Sequence, residues 1–411
     1  MHTPPGLPAR RAALRLLDAV LRRGETLDQA APSALGSVNS FADKALARAI
    51  ASEVLRWLVD LDQLIDSATK KPLPDDSKAR SVLRLMLAQS LRLGTPPHAV
   101  ISTGLELLQG GPRRLAHGVF STLTRKEVEL PAQPTMPDSV VLRWGEKASA
   151  IAAALADPPP LDLALRDPSE TERWQEELGG TSLMPGHIRL ARGSAVEELP
   201  GFEEGAWWVQ DLAASIPARL LHSGEGRRVL DLCAAPGGKT LQLAAAGWDV
   251  TALDNNGKRL ERLEANLART GLSAKIVKAD VLEWQAEAPF DAILLDAPCT
   301  ATGTCRRHPD VLHRIGARQI AEMVELQQSM LARVTDWLNP GGQLVYAVCS
   351  LEREEGEDQA ALINLGPDPL TADELPEGLA PTAQGWLRTS PDMLGEKGGL
   401  DGFFAARFTR S

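Results

Sequence analysis

Two cysteines, Cys299 in Asp296-Ala297-Pro298-Cys299 and Cys349 in Tyr346-Ala347-Val348-Cys349-Ser350, each directly follow a short apolar run that reads as a parallel strand. Both thiols therefore project from one edge of a sheet. Upstream, residues 229–240 (VLDLCAAPGGKT) read as a strand, a glycine turn and a helix start, and a second strand ends at Asp254. A nucleotide-type pocket beside two thiols suits methylation of a pyrimidine carbon. C5 of cytosine is too poor a nucleophile to take a methyl group unaided. A thiolate that adds to C6 breaks the aromaticity and loads electron density onto C5. The C5 proton must then leave and the thiolate must be expelled, and a second thiol can assist that elimination. Asp296 could hold the base edge near N3 and N4 and stabilise the charge that develops there.

If the strands before Cys299 and Cys349 are neighbours, as in the usual doubly wound order, their ends lie about 5 Å apart and the two thiols flank one substrate. Which of the two attacks is left open by the residues. Cys305 reads as a small buried hydrophobe, and at Cys233 the backbone of the turn is expected to matter more than the thiol.

In open α/β sheets a ligand binds outside the carboxyl ends of the strands, at the switch point beside the first strand. Residues 231–240 sit there. Gly237 and Gly238 let backbone N–H groups approach a ligand, and Asp231 is an acceptor for a charged or polar group. Asp254 is placed to bond a ribose hydroxyl, and Asp280, at the end of the third strand, an adenine amino group. A P-loop is excluded because GxxxxGK[ST] needs glycine where Cys233 stands, and a GxGxxG fingerprint is absent.

The elements that position these residues follow from alternation. Strands are expected at 228–232, 249–253, 275–279, 291–296 and 343–348, with helices at 239–246, 257–270 and 317–338 and a late strand at 402–408. That order makes a doubly wound α/β domain with a parallel sheet covered on both faces. Residues 8–126 instead carry helical spacing, as in Ala13, Leu17, Val20 and Leu21, broken by turn signals such as Lys71-Pro72-Leu73-Pro74. Three prolines in 131–137 and the run Pro158-Pro159-Pro160 read as linkers. The expected division is an all-helical domain at 1–130, a linker and mixed α/β subdomain at 131–225, and the catalytic domain at 226–411.

The 411 residues are 44% hydrophobic and 24% charged, ordinary for a globular protein. No charge-free apolar run approaches ~18 residues and no signal segment is visible, so a cytoplasmic location is expected, with no membrane partner. The four cysteines form no CxxC pair, which predicts neither disulfides nor a metal site. The net charge of −10 is unevenly spread: residues 1–130 hold 18 Lys and Arg against 13 Asp and Glu. A basic head on an acidic body is compatible with a local phosphate-binding surface, and equally with solvated helix faces at Arg10, Arg11, Arg22, Arg23, Arg113 and Arg114.

The segments DLCAAPGGKT, DAPCTATGTCRRHP, PGGQLVYAVCS and DGFFAARF resemble the motifs of the RsmB/Sun family of RNA cytosine-C5 methyltransferases. The head, through RAALRLLDAV, DKALARAIASEVLRW and the stretch from PPHAV to LTR, is similar to the NusB-like RNA-binding domain of its ribosomal members. The resemblance implies a class I S-adenosyl-L-methionine-dependent methyltransferase fold with a NusB-like N-terminal domain, acting on 16S ribosomal RNA. It places the cofactor at Cys233, Ala234, Ala235, Pro236, Gly237, Gly238, Lys239, Asp254, Asp280 and Asp296. It makes Cys349 the nucleophile and Cys299 the thiol that assists release. Arg306, Arg307 and His308 match the family's RRHP and are expected to meet RNA phosphate or the base pocket. Val348 replaces the usual Thr before the nucleophile, and Ser121 stands where Asn is common. Two other readings are transfer RNA as the substrate and a catalytically silent RNA-binding protein; retention of both thiols, Asp296 and the full turn argues against the second. A monomer is expected.

Overall fold

The computed structural model describes residues 5–193 and 195–411, so the first four residues of the head and Ser194 lie outside it. The chain forms two compact units, Met1–Asp157 with Cys305–Ile315 and Pro158–Thr304 with Gly316–Ser411. Neither boundary coincides with 130 or 225. The proline-rich stretch after 130 is bonded into the helical unit, where the buried Asp60 carboxylate accepts from Thr135 N at 2.9 Å and Thr135 Oγ1 at 2.6 Å. Arg56 Nη1 donates to the Leu155 carbonyl at 3.0 Å and Arg92 pairs with Asp157 at 3.0 Å. Such bonds hold residues 131–157 as part of the domain rather than as a free tether.

The first unit contains α1 (Leu7–Arg23), α2 (Leu27–Leu35), α3 (Phe41–Arg56), α4 (Leu58–Ser67), α5 (Lys78–Leu91), α6 (Pro97–Gly104), α7 (Gly110–Arg125), α8 (Asp138–Trp144) and α9 (Lys147–Ala154). On α1, Ala9, Ala12, Ala13, Leu16, Leu17 and Val20 are buried at three- and four-residue spacing, which gives the helix one apolar face. Gly24 ends it in the left-handed conformation at φ 70°, and a capping box of Thr26 and Gln29 starts α2. The core gathers Leu16, Leu17, Ile50, Leu55, Trp57, Met86 and Phe120; each fully buried Leu or Ile contributes about 1.5–3 kcal/mol relative to exposure.

The segment Cys305–Ile315 belongs to this helical unit. The Arg306 carbonyl accepts from Arg56 Nη2 at 2.9 Å, His313 Nε2 meets the Leu55 carbonyl at 2.6 Å, and the Ile315 carbonyl accepts from Arg143 Nη1 at 2.9 Å. Arg306 is 3% exposed. Its guanidinium is packed within the protein rather than open to solvent.

The second unit begins with a three-stranded antiparallel sheet that the sequence reading left as a mixed region. Its strands are β1 (Leu161–Leu165), β2 (His187–Leu190) and β3 (Trp207–Val209), in the order β2-β1-β3. Helices α10 (Thr171–Leu178) and α11 (Leu212–Arg219) accompany it. The main sheet follows with β4 (Arg228–Leu232), α12 (Gly238–Ala245), β5 (Asp249–Asp254), α13 (Gly257–Thr270), β6 (Lys275–Lys278) and β7 (Phe290–Asp296). After α14 (Val311–Arg314), in the inserted segment, come α15 (Ala317–Val334), β8 (Leu338–Val348), α16 (Glu357–Ala360), β9 (Gly366–Pro367), β10 (Leu387–Thr389) and β11 (Phe403–Thr409).

The order is β10-β11-β8-β7-β4-β5-β6, with β9 also on β11. The five strands β8-β7-β4-β5-β6 are parallel, as expected. The late strand β11 runs antiparallel to β8, and β10 and β9 run antiparallel to β11, so the sheet is mixed. The extra strands lack the long helical crossovers that parallel pairing requires. Both faces are covered: Val229, Val250, Leu294 and Val345 pack on one side and Leu230, Leu253, Ile293 and Leu344 on the other. Strands buried on both faces read as continuous apolar runs, and Asp231, 0% exposed within β4, interrupts one of them. No helix among the described residues is long and apolar enough to cross a membrane.

Candidate active site

The chain moves from β4 outward through β5 and β6, then returns to β7 on the other side of β4, so the switch point lies at the carboxyl end of β4. The turn after β4 takes Cys233 to φ 59° and Gly237 to φ 109°. At Gly237 a side chain would be strained, and its Cβ would fall 2.9 Å from Leu263 Cγ. A cleft of about 360 Å³ opens here. Of the expected cofactor residues, Asp231, Ala234, Ala235, Pro236, Gly238, Lys239 and Asp296 line it, together with Trp208, Gln210 and Asp211 from the preceding segment.

Cys233, Gly237, Asp254 and Asp280 stand outside that lining. Asp254 is buried and supports the turn: Oδ2 accepts from Ala235 N at 3.1 Å and Oδ1 from Asn256 N at 2.8 Å. Asp280 Oδ1 accepts from Leu282 N at 2.8 Å, and its side chain is partly open. Burial pushes the Cys233 thiol far up from its ordinary value, so it stays protonated.

Asp231 Oδ2 accepts from Thr240 Oγ1 at 2.5 Å, while its Oδ1 is buried without a hydrogen-bond partner. Burial pushes its carboxyl up to about 7, against the hydrogen bond of Thr240 and the charge of Lys239. An unsatisfied acid oxygen in the wall of a cleft fits a cationic or donor group of a ligand. Lys239 Nζ lies 2.7 Å from Asp296 Oδ2 and 5.1 Å from the centre of the Phe403 ring. Burial works against the ammonium, yet the Asp296 charge and hydrogen bond outweigh it and raise the Lys239 pKa.

The two thiols meet because β7 and β8 are adjacent and in register, Asp296 opposite Ala347. Past the strand ends, Ala297 N donates to the Ala347 carbonyl at 2.9 Å and Gly303 N to the Cys349 carbonyl at 3.0 Å. Cys299 Sγ and Cys349 Sγ then stand 3.5 Å apart, both half-buried and unbridged. The hydrogen bond to Cys349, then burial, then the charge on Cys349 and Glu355 push the Cys299 thiol well up. Cys299 is therefore held as the neutral thiol. Gly303 permits the close approach of the last strand's lead-in: a Cβ there would lie 2.0 Å from the Gly402 carbonyl oxygen.

Sequence reasoning missed Thr240, Phe403 and Glu355. Thr240 ends the GGKT run, so its place one helical turn from the cleft was available. Phe403 reads as core, and Glu355 sits in an acidic stretch that reads as a solvated face. Among the described residues no cluster of three or more His, Cys, Asp or Glu side chains is placed to hold a metal ion.

A ligand cleft at the switch point of this sheet is the place where doubly wound folds bind nucleotide-type cofactors, and the family match makes this one a class I methyltransferase dependent on S-adenosyl-L-methionine. A profile described as 16S rRNA methyltransferase RsmB/F matches residues 218–409, and one of the NusB family matches residues 7–111. The chain is 33% identical to ribosomal RNA small subunit methyltransferase B of Klebsiella pneumoniae, across 98% of each chain, and equally to that of Xylella fastidiosa. A solved methyltransferase homologue protein from Pyrococcus horikoshii is 28% identical with a TM-score of 0.54, covering 67% of this chain and 94% of that one. The chain belongs to the 16S rRNA methyltransferase RsmB/F family and carries a NusB-like N-terminal domain.

Proposed function

We propose that this protein methylates C5 of a cytosine in 16S ribosomal RNA through a covalent bond between Cys349 and C6. The observation that carries the reading is the 3.5 Å separation of two unbridged thiols beside the Lys239–Asp296 pair. Asp231, with its unsatisfied oxygen, and the backbone of residues 233–238 would hold S-adenosyl-L-methionine, with Asp254 supporting that turn through its bonds to Ala235 N and Asn256 N. When bound, the cofactor supplies an electrophilic methyl group for C5.

Asp296, fixed by Lys239, holds the N3 and N4 edge of the base. Cys349 Sγ adds to C6 and makes C5 nucleophilic. After methylation the C5 proton passes to water or another base, its C–H electron pair restores the C5–C6 double bond, and the C6–Sγ bond breaks with Cys349 leaving as the thiolate; the neutral Cys299 thiol, 3.5 Å away, assists by hydrogen-bonding to that leaving sulfur. The target base must be unstacked, since C6 is not reachable within a helix. The NusB-like domain grips the surrounding RNA, and the names of the relatives favour ribosomal RNA over transfer RNA.

The test is transfer of labelled methyl from S-adenosyl-L-methionine to naked 16S RNA and to assembled subunits, with digestion of the product to nucleosides. Label in 5-methylcytidine at one position supports the reading. Label confined to transfer RNA, or none despite measurable RNA binding, overturns it.

A further inference from the structure

We propose that Glu355, in the turn after β8, is a positioning residue that ties the two thiol-bearing loops to each other and so sets the rate at which the covalent intermediate is resolved. The inference rests on the two-thiol reading above and deepens it.

Glu355 is 0% exposed. Its Oε1 accepts from Thr300 N at 2.8 Å and from Gln327 Nε2 at 3.2 Å. Its Oε2 accepts from the hydroxyls of Thr300 and Ser350. Thr300 directly follows Cys299, and Ser350 directly follows Cys349. One carboxyl group thus holds the residue next to each thiol. Gln327, from α15, completes the clamp by donating also to the Pro298 carbonyl at 2.8 Å, just before Cys299. The Glu355 carbonyl accepts from Tyr346 OH at 2.6 Å, which fixes the turn to β8.

Among the described residues no cation forms an ion pair with Glu355. A carboxyl buried without a counter-ion is costly, and burial pushes it up from its ordinary value, against the hydrogen bonds of Ser350, Thr300 and Gln327. An apolar side chain would fill the same volume at lower cost but could not bridge the loops. The loops also bond to each other directly, Gly303 N to the Cys349 carbonyl at 3.0 Å and Leu351 N to Thr302 Oγ1 at 3.0 Å, but among the described residues only the Glu355 carboxyl takes donors from the residues that immediately follow both thiols. The hydrogen bond to Cys349 and burial push the Cys299 thiol up first, with any charge on Glu355 adding to them, so the clamp sits beside a thiol kept in its protonated form.

The test uses the full chain, a 16S RNA transcript and labelled S-adenosyl-L-methionine, with Glu355→Gln, Glu355→Asp, Thr300→Val and Cys349→Ala beside the unaltered protein. Glu355→Gln is expected to lower kcat tenfold or more with KM for RNA and cofactor within twofold, and to leave protein–RNA adduct on a denaturing gel. Glu355→Asp, too short to reach both loops, does not restore kcat although it restores the charge. A folded Glu355→Gln protein with unaltered kcat, or with the loss in KM alone, overturns the inference. If that variant does not fold, Thr300→Val decides: unaltered kcat with no adduct overturns it. Normal turnover by Cys349→Ala removes the two-thiol reading itself, whereas inactive Cys349→Ala beside normal Glu355→Gln removes only the role of Glu355.

Discussion

Lys239 Nζ and Asp296 Oδ2 are 2.7 Å apart in the wall of the cleft, so the helix after the cofactor turn is bonded to the end of the strand that leads to Cys299. Asp296→Asn leaves that ammonium buried beside a neutral partner and weakens the grip on the base edge. The expected loss in single-turnover rate is about 10²–10³-fold, the size of removing one preorganised polar contact at a reacting centre. Single-turnover methylation checks this, and a loss below tenfold would remove Asp296 from the chemistry.

The thiols predict opposite failures. Cys349→Ala forms no bond to RNA and no product, whereas Cys299→Ala forms the bond and stalls. A denaturing gel after incubation with RNA and cofactor separates them: a retarded band for Cys299→Ala and none for Cys349→Ala. Retardation in the Cys349 variant alone would exchange their roles.

Asp231 is expected to make cofactor binding depend on pH. Its folded carboxyl is pushed up to about 7, above the ~4 of an unfolded aspartate. Its contribution to stability is therefore fully present below about pH 4 and is lost as pH rises through about 7. A cationic ligand favours the ionised form, so affinity for S-adenosyl-L-methionine should rise as pH climbs through about 7. Calorimetric titration from pH 6 to 8 measures this, and Asp231→Asn should flatten both trends.

Asp162 is expected to behave in the opposite sense. It is buried under Arg189, with Nε and Nη2 both 2.7 Å from its oxygens. Burial opposes its ionisation, but the hydrogen bonds and charge of Arg189, with His187 nearby at 3.4 Å, outweigh that and hold the carboxyl well below the usual range. The stability it adds is present above about pH 4 and lost only as pH falls toward its depressed value. Asp162→Asn should cost about 3–5 kcal/mol by leaving a buried guanidinium without its partner. Denaturant unfolding at neutral pH measures the loss; a change under 1 kcal/mol would show that the pair is dispensable.

Gly303→Ala should separate fold from activity. Its Cβ would meet the Gly402 carbonyl, so the backbone after Cys299 must shift while the sheet beneath stays whole. Expected are a circular dichroism spectrum close to that of the unaltered protein and a methylation rate lower by an order of magnitude or more. An unaltered rate would show that the loop absorbs the displacement.

Sequence by itself determined the five parallel strands, the helices between them and the placement of both thiols beyond strand ends. Apolar runs of five or six residues ending in Asp or Cys have few other solutions once both faces of a sheet are covered. It also determined the turn at 233–238, because Gly237 and Gly238 mark a backbone that must bend sharply.

Tertiary structure alone decided what lies far apart along the chain. The antiparallel direction of β11, whose strand the sequence shows, and the short strands β9 and β10 depend on pairing energy, which leaves no trace in periodicity. Arg306 reads from its motif as a residue for RNA phosphate or the base pocket, and only the folded chain shows its segment packed in the helical unit. Glu355 reads as one more acid in a charged stretch, because the donors that make it indispensable, Thr300, Ser350 and Gln327, are brought to it only by the adjacency of β7, β8 and α15. A residue's type states which bonds it can make, and only the folded chain states which partners arrive to make them.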